Sequence, residues 1–77
     1  MKSKEYHYWV SQCQKGFKLE DNDDSYQYLA DETLYIDYDL YVYRVDDVIY
    51  AVHYKEPVLT MDGYYPKDID YNHYIIN

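Results

Sequence analysis

The sequence predicts an α+β domain: an N-terminal helix packed on a small antiparallel sheet built around a central β-hairpin. Three observations carry this expectation. Apolar residues recur at helical spacing over residues 6–17, and alternate with a period of two over residues 34–42. A β-branched and aromatic run at residues 48–54 then follows a two-residue turn. With 77 residues the chain has room for one domain, 1–77, and one core.

In the helix, Tyr6, Trp9, Val10, Cys13 and Phe17 share one face, while His7, Ser11, Gln14 and Lys18 share the other. Ser3 suits the N-cap. Gly16 suits the left-handed position after the last turn, with Phe17 folding back against it. Against this periodicity stands Tyr-His-Tyr-Trp-Val, a run that favours a strand. Residues 19–25 read as an acidic loop, and residues 26–30 as either a helical turn or an irregular strand.

The hairpin is the strongest structural signal. Over residues 34–42, Leu34, Ile36, Tyr38, Leu40 and Val42 alternate with Tyr35, Asp37, Asp39 and Tyr41. Asp46-Asp47 then serves as the turn, although it lacks the glycine such turns favour. That turn sets the register. Val45 faces Val48, Tyr43 faces Tyr50, Val42 faces Ala51, Tyr41 faces Val52 and Leu40 faces His53. Near the turn both hairpin faces are then largely apolar. One takes the helix; the other, with Tyr41, Tyr43, Tyr50, Val52 and Tyr54, requires a further layer or a partner. Residues 58–61 form a third strand, and Asp62-Gly63 a turn. Ile69, Tyr71, Tyr74 and Ile75 are candidate buried groups near the C-terminal end.

Composition narrows the function. A lone cysteine, Cys13, excludes an internal disulfide framework and cysteine-based zinc sites. No stretch has the form of a signal peptide, and no apolar run approaches the ~18 residues of a membrane span. These features predict a cytoplasmic protein without a membrane association. Gly, Ala, Arg and Pro together number only seven, a usage expected of AT-rich genomes and of their phages and plasmids. Base composition does not account for 14 tyrosines or for 11 aspartates beside 6 lysines. Tyrosine combines a large contact area with a hydroxyl, which suits partly wet interfaces.

The charge is uneven. Residues 1–18 carry a balance of +3, residues 19–54 a balance of −9, and the remainder −2. A solvated acidic surface that maintains solubility accounts for part of this.

Catalysis finds no support in the motifs. His7, His53 and His73 stand in no metal or triad spacing, there is no Gly-rich phosphate loop, and Arg44 is the sole arginine. His53 reads as packing at a sheet edge, and Cys13 as a small core residue. No cofactor is implied. Asp21, Asp23, Ser25, Gln27 and Glu32 match positions 1, 3, 5, 7 and 12 of a calcium loop. Tyr26 stands where that loop requires glycine, and a strand-like segment follows instead of a helix. Weak divalent binding through the acidic 21–32 loop is the form of this reading that survives.

A net charge of −8 disfavours direct nucleic-acid binding. It suits a partner that itself binds nucleic acid, whose lysines and arginines would meet carboxylates in place of phosphates. Asp37 and Asp39, on alternate positions of one strand, would project as a pair about 6.6 Å apart. Asp21, Asp23, Asp24, Asp31, Glu32, Asp46 and Asp47 would extend them into a negative ridge. Tyr35, Tyr41, Tyr64 and Tyr65 are candidate aromatic anchors, and Tyr38 reads as strand packing. The segment Tyr64-Tyr65-Pro66-Lys67-Asp68 is similar to the Tyr-Tyr-Pro segment of the colicin endonuclease immunity proteins. In that all-helical family, tyrosines and acids grip a toxic nuclease domain. The resemblance spans five residues and implies shared chemistry, not a shared fold. The sequence thus predicts an inhibitor of a basic nucleic-acid-binding protein or nuclease, in the manner of DNA mimics and anti-defence proteins. The alternative is a homodimer or adaptor that associates through the tyrosine face of the hairpin.

Overall fold

A computed structural model describes residues 2–20, 30–57 and 70–76. The predicted class is found. One helix, α1 (Lys4–Lys15), packs on a five-stranded antiparallel sheet. Its strands are β1 (Phe17–Leu19), β2 (Glu32–Ile36), β3 (Leu40–Val45), β4 (Val48–Tyr54) and β5 (Tyr71–Ile75). They lie in the order β1-β5-β4-β3-β2. The expected strand at 58–61, the Asp62-Gly63 turn and the candidate buried Ile69 fall outside the described residues.

Helix α1 begins as its sequence predicts, with the Ser3 hydroxyl accepting from the Tyr6 backbone N–H at 3.1 Å. Its end differs. Gly16 is extended, with φ −84° and ψ −169°, because the chain enters β1 directly instead of reversing. Glycine is needed there for space. A Cβ on Gly16 would lie 2.5 Å from the Ile75 carbonyl oxygen of the neighbouring strand. Phe17 consequently does not fold back on the helix; it opens β1 opposite Ile75 and is 68% exposed.

The hairpin of β3 and β4 has the predicted register from Leu40↔His53 to Val45↔Val48. Asp46 and Asp47 take φ of 50° and 68°, the left-handed values that a two-residue type I′ turn demands. Aspartate tolerates them better than most residues, though less well than glycine.

The expected single strand over residues 34–42 is corrected. The chain reverses at Asp37-Tyr38-Asp39, so that β2 and β3 form a second hairpin. The Asp37 carboxylate accepts from the Tyr38 backbone N–H at 2.6 Å, and the Asp37 N–H donates to the Leu40 carbonyl. This local closure competes successfully with continued extension. Tyr38 therefore lies in the turn, 48% exposed, and not in strand packing. A register shift between Thr33 and Tyr35 marks a bulge. It puts Leu34 and Tyr35 with the helix-side cluster and Ile36 with the opposite one.

The sheet has two different faces. Beneath α1, Tyr6 and Cys13 pack with Leu40, Val42 and Ala51. Each fully buried aliphatic such as Leu40 or Val42 contributes about 1.5–3 kcal/mol. The other face is tyrosine-rich. Tyr43 stacks between Tyr41 and Tyr50 at 5.2 and 5.3 Å, and its hydroxyl bonds His73 Nε2 at 2.7 Å. Tyr41, Tyr43, Val52 and Tyr54 are all buried. His53 sits on the central strand β4, not at an edge, because β5 returns to pair with it. Among the described residues, no helix is long and apolar enough to cross a membrane.

Candidate protein-binding site

Among the described residues, the carboxylates of the predicted ridge do not form one continuous row. Those of the described residues on β2, β3, β4 and their turns gather at the two ends of β3. Asp39 and Asp46 flank that strand seven residues apart, which at 3.3 Å per residue is about 23 Å.

At the β3–β4 turn, four carboxylates meet. Cross-strand pairing places Glu32 opposite Arg44, and the Asp31 N–H donates to the Arg44 carbonyl at 2.8 Å. Arg44 donates from Nε and Nη2 to Glu32 Oε1 at 3.1 and 3.0 Å, and from Nη1 to Asp47 at 3.3 Å. The Asp46 backbone N–H donates to Asp31 Oδ2 at 3.0 Å. The hydrogen bond and charge of Glu32 hold the Arg44 guanidinium above its ordinary pKa, with Asp47 and Asp31 adding to the effect. One cation thus pairs with two of the four acids, Glu32 and Asp47, and an excess of negative charge is left. The Asp47 side chain is 98% exposed. Such a tip attracts a basic surface at long range, and the attraction is screened by salt.

The β2–β3 turn is built differently. Asp37 and Asp39 are not alternate residues on a strand face but the two flanks of a reversal, packed against the start of α1. The Tyr6 hydroxyl donates to Asp39 Oδ2 at 2.8 Å and lies 3.4 Å from His53 Nε2. His53 Nε2 is 3.7 Å from the same carboxylate oxygen. The Tyr35 hydroxyl donates to Asp37 Oδ2 at 3.0 Å and lies 3.3 Å from Ser3 Oγ. Lys2 Nζ is 3.6 Å from Oδ1 of both aspartates and 4.8 Å from the centre of the Tyr6 ring. Burial, the hydrogen bond to Asp39 and the nearby carboxylates push the Tyr6 hydroxyl up to about 12. Tyr35 is also raised: burial and Asp37 outweigh the opposing hydrogen bond with Ser3. For Asp37, burial acts to raise the pKa. The hydrogen bonds from Tyr38 and Tyr35 and the Lys2 charge outweigh it, and the net direction is downward.

The predicted site residues thus divide. Asp31, Glu32, Asp46 and Asp47 come together at the tip, and Asp37, Asp39 and Tyr35 come together at the other end. Tyr41 is 4% exposed within the tyrosine face, so it packs the sheet and is not an accessible anchor. Asp21, Asp23, Asp24, Tyr64 and Tyr65 lie outside the described residues. Sequence reasoning missed Lys2, Tyr6 and His53 as members of the Asp37–Asp39 cluster. The helical spacing that puts Tyr6 on the buried face of α1 was the one available signal. Among the described residues, no three His, Cys, Asp or Glu side chains are grouped to hold a metal. The chain matches no protein-family model, no curated protein and no solved structure.

Proposed function

We propose that this chain is a small acidic inhibitor, not an enzyme, that covers the basic nucleic-acid-binding surface of a target protein. The observation that carries this reading is the tip at the β3–β4 turn. There Asp31, Glu32, Asp46 and Asp47 gather, with Arg44 paired to Glu32 and Asp47, on a chain of net charge −8. A tip of this charge substitutes for phosphates against lysine and arginine side chains. The target is a nucleic-acid-binding protein or a nuclease, and the setting is cytoplasmic, of phage or plasmid type. Exposed Tyr38, on the opposite turn, supplies an aromatic contact that the buried Tyr41 does not.

Immobilised chain, exposed to a bacterial extract, tests the reading. The expected result is retention of nucleic-acid-binding proteins that elute between about 50 and about 500 mM salt, and that duplex DNA displaces. Retention only of proteins that bind no nucleic acid, indifferent to salt and to DNA, would overturn it.

A further inference from the structure

We propose that the open edge of β2 receives an extended, basic segment of the target as an added antiparallel strand. This rests on the reading of the protein as a binder of basic surfaces, and names how the target's backbone is held once charge has drawn it in.

The sheet ends in two edges, β1 and β2. Among the described residues, nothing pairs with either strand on its outer side. An edge strand turns alternate N–H and C=O groups away from its neighbour, and these groups are a template for another chain. Natural sheets blunt such edges with short strands, lysine and proline. β1 has the first two: it is three residues long, with exposed Lys18 at its centre and exposed Lys15 shortly before it. β2 is five residues long, Glu-Thr-Leu-Tyr-Ile, without lysine or proline. Leu34, Tyr35 and Ile36 are only half buried, although each packs against one of the two clusters. A strand laid beside them would complete that burial on both faces of the sheet. The bulge between Thr33 and Tyr35 interrupts the ladder, and so confines the added strand to a short segment.

Charge selects the occupant. β2 begins at the tip, where four carboxylates stand against the single guanidinium of Arg44 and leave three negative charges. Its other end reaches Asp37, whose charge Lys2 already answers. All pairs in the sheet are antiparallel, and in that sense the C-terminal end of an added strand lies beside Glu32. The segment that fits is therefore a β-branched stretch followed by lysine or arginine. A second copy of the chain, of net charge −8, is repelled from the same edge.

The test is an amide NMR titration of the full chain with the peptide Val-Thr-Val-Thr-Lys-Lys, blocked at both ends. The same peptide with its central amides N-methylated keeps the charge and loses the capacity to pair. In the free chain, at concentrations where sedimentation gives a monomer, the β2 amides are expected to alternate between fast and slow exchange. The peptide is expected to move the amides of Thr33, Leu34, Tyr35 and Ile36 and to slow the fast ones, and the methylated peptide to move the tip alone. Thr33→Lys puts a like charge on the exposed edge, and is expected to weaken peptide binding by about fivefold. Gln14→Lys adds the same charge at an exposed position of α1 and controls for net charge. Equal weakening in the two variants would overturn the proposal. So would slow exchange of every β2 amide before peptide is added: in a monomer the chain itself then covers the edge, and in a dimer a second copy does. Shifts confined to Asp31, Glu32, Asp46 and Asp47 with both peptides would also overturn it, and leave the inhibitor reading standing. Failure of that reading is seen separately, as retention from the extract that is indifferent to salt and DNA.

Discussion

The two ends of β3 carry acids of the same type in opposite circumstances. At the β3–β4 turn, Asp31, Glu32, Asp46 and Asp47 face solvent, and one arginine pairs with two of them, Glu32 and Asp47. At the β2–β3 turn, Asp37 and Asp39 are half buried, held by two tyrosine hydroxyls and shared by Lys2. Negative charge in the first place is unspent and long-ranged; in the second it is spent on holding α1 to the sheet. Local charge density in a sequence therefore does not measure the charge a partner meets. The neutralising groups come from wherever the fold brings them.

The comparison breaks most readily at Tyr6. Tyr6→Phe leaves Asp39 Oδ2 without its donor, and is expected to cost about 2 kcal/mol in urea denaturation. It also has a pH signature. Because the folded-state pKa of Tyr6 is raised from 10.0 to about 12, the neutral phenol favours the fold. Its contribution is fully present below pH 10 and is lost as pH rises towards 12. The Tyr6→Phe chain is expected to lack that part of the alkaline loss. An unchanged urea midpoint would show that the helix is not anchored through this carboxylate.

The next largest effect lies at the tip and has the opposite sign. Asp47 is held at φ 68°, where glycine carries no steric cost. Asp47→Gly is expected to stabilise the fold by about 0.5–1 kcal/mol and to weaken capture of the basic target. A variant that is both more stable and equally good at capture would show that the tip is a turn and nothing more.

The smallest effect on stability is expected for Arg44→Gln, since Arg44 and its acids stand largely in water. The urea midpoint should stay in place while binding to the basic target tightens and becomes more salt-sensitive. A large destabilisation there would make the two ends alike and erase the contrast.

Some of this was legible without coordinates. The helix start at Ser3 and the β3–β4 register follow from local chemistry: a cap with its N–H donor three residues on, and a two-residue turn flanked by matched apolar runs. The reversal at Asp37-Tyr38-Asp39 was not. Period-two alternation runs unbroken through residues 34–42 and fits one strand as well as two. The discriminating signal was the pair of aspartates flanking Tyr38, a residue type that closes turns on the next backbone N–H. The loss of Tyr41 as an anchor has a similar origin. Alternation shows that a residue faces one side of a sheet; it does not show whether that side is covered.

By itself, the sequence determined what depends on neighbours a few residues away. That includes the α+β class, the helix on one apolar stripe, the hairpin and its turn, and a concentration of acid in residues 19–54. Only the tertiary structure decided the strand order that puts β5 between β1 and β4, and with it the central place of His53. It also decided that the acids of residues 31–47 divide between two ends of one strand, one pair of them meeting Lys2, 35 residues before Asp37. Strand pairing and ion pairing across such distances depend on how whole elements close on one another, and periodicity carries no record of that closure.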